Sequence, residues 1–269
     1  MGVAARSVEV GAGPTLMIDA AGASHVGRVR TLNEDSLVVV EGVVYAVADG
    51  MGGHAAGQIA SEIALKTTIR AYYADSSPVV EESLRAAFQQ ANGLIFDAAR
   101  AISERNGMGT TLTALVVRGE EAFIAQVGDS RCYRLRAGRI EQLTDDHSWV
   151  NEQVKRGALS AQDAEMSPFR NVITRSIGNS PSVDIDIFTE QLEVGDQFLL
   201  CSDGLSNEVT AEEMRDAMKR RSPSQAAWDL VDLALERGGR DNCTVLILKI
   251  RDIVRKNKKK GLGALLGRG

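Results

Sequence analysis

The pattern that most constrains this chain is a short apolar run that stops at an acidic residue set in a turn, repeated from one end to the other. It occurs at Asn33-Glu34-Asp35-Ser36, at Ala48-Asp49-Gly50-Met51-Gly52-Gly53, at Val127-Gly128-Asp129-Ser130-Arg131 and at Cys201-Ser202-Asp203-Gly204. A fifth instance, Gly239-Arg240-Asp241-Asn242, immediately precedes the last apolar run. One Asp-Gly is an ordinary turn dipeptide. An acid at the end of a buried strand is costly unless something cationic sits against it, and five of them ask for a common cation.

The apolar runs themselves read as strands: 36–40, 43–48, 111–117, 122–127, 132–135, 197–202 and 243–250 are four to eight residues long, β-branched and mostly bounded by Gly, Asp or Asn. The runs 111–117 and 122–127 are joined by Arg118-Gly119-Glu120-Glu121, short enough for a hairpin, so pairing is antiparallel. Helical period appears in residues 55–73, in the stripe Leu84, Phe88, Ala91, Ile95, Ala98 and Ile102, and after Pro223 up to Gly238-Gly239. Antiparallel strands with helices inserted in pairs predict an α+β sandwich. Residues 1–21 are expected to be a flexible arm, 22–250 the folded domain, 144–178 a polar flap within it, and 251–269 a basic tail.

That tail carries seven basic groups against one acid, Asp252, which leaves the rest of the chain at −11 within an overall charge of −5. An acidic body argues against nucleic acid as a partner and suits one that collects divalent cations. Cys132, Cys201 and Cys243 form no C-x-x-C pair and fall in apolar runs, which predicts buried, reduced thiols. The three histidines, His25, His54 and His147, lack zinc-site spacing. Carboxylates with carbonyls suit hard ions instead, Mg²⁺ or Mn²⁺. No signal peptide or integral membrane segment is read, so the expectation is a cytoplasmic protein.

The segments Arg30-x-x-Asn33-Glu34-Asp35-Ser36, Ala48-Asp49-Gly50-Met51-Gly52-Gly53-His54, Gly109-Thr110-Thr111, Val127-Gly128-Asp129-Ser130-Arg131, Leu143-Thr144-x-Asp146-His147-Ser148, Cys201-Ser202-Asp203-Gly204-Leu205 and Gly239-x-x-Asp241-Asn242 stand in this order. Together they resemble the PP2C-type (PPM) protein phosphatases, the bacterial branch best, over about residues 22–250. The resemblance implies a four-layer αββα sandwich, two antiparallel sheets flanked by helices. It implies two core Mn²⁺ or Mg²⁺ ions at one end: Asp49 bridging both, Asp203 and Asp241 completing the first, Glu34 and the Gly50 carbonyl the second. Asp129 with Asp203 would hold a third, weaker ion, and Arg30 would grip the substrate phosphate.

The implied activity is hydrolysis of phosphoserine and phosphothreonine on proteins by a metal-activated water, with no phosphoenzyme. The implied partners are phosphorylated proteins, a serine/threonine kinase and its substrates, and the default state is a monomer. Met51 stands where eukaryotic members carry a histidine that protonates the leaving group, so His54 is the candidate general acid, and a surface or capping role is its alternative. His147 is either a substrate contact or a hydrogen-bonded loop residue. Two other readings of the whole chain are a binding module without turnover and a hydrolase of small phosphoesters. A nucleotide P-loop at 49–53 is rejected, because the Lys-Ser/Thr that would complete it is missing.

Overall fold

Alternation decides the architecture, and β4 (Val44–Met51) shows how. Val44, Ala46 and Ala48 point to one apolar cluster, while Tyr45 and Val47 point to another on the opposite face. A strand buried on both faces reads as a continuous apolar run, and only a sheet covered on both sides can hold it. β12 (Cys243–Val254) repeats the pattern, with Val245 and Ile247 facing one cluster and Leu246, Leu248 and Ile250 facing another.

The computed structural model describes residues 6–8, 15–52 and 56–255. One sheet joins β1 (Arg6–Val8), β2 (Thr15–His25), β12, β11 (Gln197–Cys201), β8 (Arg131–Arg136) and β9 (Arg139–Gln142) in that order. The other joins β10 (Asp186–Gln191), β7 (Glu121–Val127), β6 (Leu112–Arg118), β4 and β3 (Asp35–Val40), and β5 (Gly109–Thr110) pairs with the end of β4. Every pairing is antiparallel.

The sheets face each other across a cluster that includes Leu115, Ile124, Phe198, Leu200, Leu246 and Leu248. Helices α1 (Ala56–Ala74) and α2 (Val80–Ala101) cover the second sheet, with Ala60, Leu84, Phe88 and Ile95 against it. Helices α5 (Asp203–Ser206), α6 (Ala211–Arg220) and α7 (Pro223–Glu236) cover the first. The expected αββα sandwich is therefore the observed fold. The segment 144–178 holds two short helices, α3 (Trp149–Lys155) and α4 (Ala161–Met166), started by Ser148 and Ser160 side chains.

Two boundaries move. Residues 15–21, expected in a flexible arm, form the first half of β2, which pairs along its whole length with β12. Small residues (Ala20, Ala21, Gly22, Ala23) hid the strand, because its order comes from its partner rather than from its own propensity. At the other end β12 runs on to Val254, so the first residues assigned to the basic tail continue a strand, and Arg255 pairs with Glu120. Residues 1–5, 9–14 and 256–269 lie outside the described residues.

Candidate metal centre

The five acid-bearing turns meet at one end of the sandwich. Asp49 lies near the end of β4, and Asp35 is its register partner on β3. Asp129 sits in the turn between β7 and β8, Asp203 opens α5 straight after β11, and Asp241 precedes β12. Each acid thus sits in or next to the end of a strand, so a one-residue slip in register would turn it away from the others.

The Gly109-Thr110-Thr111 motif holds the main chain of Asp49. Its N–H donates to Thr111 Oγ1 (2.9 Å), and its carbonyl accepts from Thr111 N (2.8 Å) and Thr110 Oγ1 (2.8 Å). Glu34 is set against the start of α1: its Oε1 accepts from Gly57 N (3.1 Å) and its carbonyl from Gly50 N (3.2 Å) and Ser61 Oγ (2.6 Å). Close approach explains Gly50 itself, since a Cβ there would lie 2.1 Å from the Gly57 carbonyl oxygen and 2.6 Å from that of Glu34. Asp241 receives Asn242 N on Oδ1 (2.8 Å) and Arg30 Nη2 on Oδ2 (2.8 Å). Arg30 is thus beside the acids, half exposed and open to a ligand.

Electrostatics gives the cluster its character. Burial, followed by repulsion from Asp35, Asp203, Asp129 and Asp241, pushes the Asp49 carboxyl far above the usual carboxylate range. Burial also raises Asp203, helped by Asp241, and Asp203 lies within hydrogen-bonding reach of Asp49. Asp129 is raised by burial and by Asp203, Glu34 by burial. Asp35, which the sequence reading quoted in a motif but gave no role, is raised by burial as well, with Ser202 Oγ donating to its Oδ2 at 2.7 Å. Its β-ladder pairing with Asp49 was the signal available, had the two runs been put in register.

Asp35 Oδ1 and Asp129 Oδ1 are buried with no hydrogen-bond partner among the described residues. Carboxylates packed so that each disfavours ionisation of the next, with orphaned oxygens, fit divalent cations bound by oxygen donors. Among the described residues no three acidic, histidine or cysteine side chains draw close enough to enclose an ion by themselves. Carbonyl and water ligands have to complete the shell, as hard ions that keep much of their hydration require.

His54 lies outside the described residues. His147 is buried: Gly128 N donates to its Nδ1 (3.0 Å), so its proton is on Nε2, facing Asp186 Oδ2 (3.2 Å). Of its two readings, the hydrogen-bonded loop residue is the one observed. Burial lowers its pKa, which keeps the ring neutral. All three cysteines are buried and free, and burial pushes their thiols up, Cys201 to about 12, so none is primed as a nucleophile.

Residues 21–233 match the family model described as protein phosphatase 2C. The serine/threonine phosphatase stp of Listeria welshimeri is 39% identical over 241 residues, covering 86% of this chain and 95% of that protein. The Mycobacterium tuberculosis serine/threonine phosphatase PstP/Ppp superposes with a TM-score of 0.82 at 34% identity, covering 87% of this chain and 99% of that one. The catalytic domain of PstP in complex with two manganese ions gives a TM-score of 0.80, also at 34% identity, with coverage of 87% and 99%.

Proposed function

The chain belongs to the protein phosphatase 2C family and is a divalent-metal-dependent serine/threonine phosphatase, and from that premise we propose how its own residues divide the work. Asp49, Asp203 and Asp241 would hold one core ion, and Asp49, Glu34 and the Gly50 carbonyl the other, with water filling out both shells. Asp129 with Asp203 would hold a third, weaker ion. The observation that carries this reading is the set of carboxylates whose burial and mutual repulsion raise their pKa, with Arg30 and Arg131 among the described residues offsetting only part of that.

When bound, the ions supply a water acidic enough to attack phosphorus near neutral pH and positive charge for the phosphoryl oxygens. The protein supplies the rest. Arg30, already hydrogen-bonded to Asp241 and half exposed, offers its remaining N–H groups to two phosphate oxygens of phosphoserine or phosphothreonine. Thr110 and Thr111 fix the Asp49 main chain, so its carboxylate is aimed before substrate arrives. The leaving alkoxide needs a proton, and His54 is the chain's candidate to hold it.

The ions are Mn²⁺ or Mg²⁺, and the manganese in the PstP complex supports the first. The same proposal covers reversal of a serine/threonine kinase, supported by the serine/threonine specificity in the relatives' names, by a protein expected to be a cytoplasmic monomer. Among the described residues no helix is long and apolar enough to cross a membrane.

The test is hydrolysis of a phosphothreonine peptide by chelator-stripped protein, with and without Mn²⁺, beside Asp203→Asn. Turnover that appears with Mn²⁺ and collapses in the variant supports the assignment. Mn²⁺-dependent turnover that survives Asp203→Asn sinks the proposed ligand set. His54→Ala with unchanged kcat and pH–rate profile removes the general-acid role.

A further inference from the structure

The segment 26–34 beside Arg30 is held rigid by a single side chain. Asn242 Nδ2 donates to the carbonyls of Val26 (2.8 Å) and Leu32 (2.9 Å), while its Oδ1 accepts from Glu34 N (2.8 Å). Arg28 N donates to the Gly239 carbonyl (2.7 Å), which docks this segment against the turn that carries Arg240 and Asp241. A Cβ on Gly239 would lie 3.1 Å from Arg28 Cγ, so the Arg28 side chain crosses that turn.

Three arginines therefore share the lip of the acid cluster. Arg28 is exposed, Arg30 leans on Asp241, and Arg240 is 73% exposed with Glu208 4.0 Å away, at the limit of an ion pair. The rest of the chain, apart from the C-terminal tail, is strongly acidic. An acidic body repels anionic peptides from the surrounding surface, and the basic lip is the place that draws them in. Because Asn242 holds the segment in place, little ordering is left to do when a peptide arrives.

We propose that Arg28 and Arg240 form a specificity surface for phosphosites flanked by aspartate or glutamate, their guanidinium groups reading the flanking carboxylates while Arg30 holds the phosphate. This deepens the phosphatase reading above and rests on it. Arg30 belongs to the phosphate site. Arg28 and Arg240 lie outside it and set which peptide enters. Val29 and Leu32, 67% and 45% exposed on the same segment, make an apolar flank the competing occupant.

The experiment compares kcat/KM, with Mn²⁺, on three phosphothreonine peptides of one length whose flanking residues are Asp, Gln or Leu. Wild-type enzyme is expected to prefer the Asp peptide over the Gln peptide by about five- to tenfold at low salt, mostly through KM, as a pair of solvent-exposed charge contacts gives. The preference shrinks in 0.5 M NaCl, where screening acts over only a few ångströms. In Arg28→Glu/Arg240→Gln the Asp-to-Gln ratio falls to about one or below, and Arg28→Gln alone falls between. A wild-type ratio near one, a Leu peptide that matches the Asp peptide, or a double variant that slows all peptides equally overturns the proposal. If wild-type enzyme with Mn²⁺ turns over none of the three, the phosphatase reading fails and takes this one with it.

Discussion

Two regions of this molecule bury carboxylates, and they do so in opposite ways. Asp196, 1% exposed, receives Arg136 through Nε (2.8 Å) and Nη2 (2.6 Å) and accepts Glu193 N on Oδ2 (2.8 Å). Asp146 is likewise gripped by Arg131, with Nε at 3.0 Å from both oxygens and Nη2 at 2.7 Å from Oδ2. At the metal end Asp35 and Asp129 are 7% and 8% exposed and Asp49 and Asp203 are half-buried, yet the charges that raise them are other carboxylates, Asp241 among them. An acid that brings its own counter-ion serves the fold. One left without invites a cation from outside, and the fold carries its cost until that cation binds.

The largest effect separates the two by function. Asp203→Asn is expected to lower kcat/KM by more than about 100-fold, the upper range for groups that merely support a ligand. The same change should leave the metal-free protein as stable as wild type or more so, because it removes a charge that its neighbours oppose. Thermal melts in chelator read this directly. A variant that is both inactive and markedly less stable without metal would mean Asp203 is paired after all, and the contrast would fall.

Asp196→Asn, or Arg136→Ala, should do the reverse. Activity per folded molecule is retained and stability drops by about 3 kcal/mol, the lower end for breaking a buried pair, since Arg136 keeps a quarter of its side chain in water. Urea denaturation with and without Mn²⁺ checks it. A loss under 1 kcal/mol would show that burial does not distinguish this pair from a surface one.

The pH dependence of the metal-free protein follows from the raised acids. Asp35 moves from 3.8 to about 7 and Asp129 from 3.8 to about 8. A group whose folded pKa lies above its unfolded value binds its proton more tightly when folded. Its contribution is complete below the unfolded value and is lost as pH rises through the folded one. Stability without metal should therefore fall between about pH 4 and 8, by up to about 1.4 kcal/mol per pH unit for each group still titrating. Mn²⁺ should reverse the slope, because it binds the ionised carboxylates. A chelated protein that grows more stable across this window would mean the acids are not repelling one another.

Sequence alone made the acids at this end visible because each stands at one end of an apolar run, and the run itself fixes which face the acid takes. What it hid lies wherever order comes from a partner. β2 reads as a loose arm because its small residues carry no pattern, and β12 supplies the pairing. β10 is a half-exposed edge strand with two acids, and α6 buries only Met214 and Met218, with a Thr210–Glu213 capping box holding its start. The roles of Thr110, Thr111 and Asp35 are hydrogen bonds and register across 61, 62 and 14 positions, and local spacing carries no trace of those. Gly109-Thr110-Thr111 was recognisable as a motif, but its work on the Asp49 main chain needed β5 and β6 laid beside β4.

The smallest effect is the control that tells whether burial, rather than pairing as such, separates the two regions. Glu62 and Lys66 sit one turn apart on α1, with Nζ 2.7 Å from Oε2 and side chains 44% and 72% exposed. The lysine lowers the pKa of Glu62, as a good pair should. Water already solvates both charges, and two long side chains lose freedom to meet, so an i,i+4 pair of this kind contributes about 0.3–0.5 kcal/mol. Glu62→Ala should cost no more than that, and the cost should vanish in 1 M salt, where the screening length is about 3 Å. If it instead approached the loss at Asp196, distance and charge alone would account for both pairs. The acids at the metal end would then need another reason for being left unpaired.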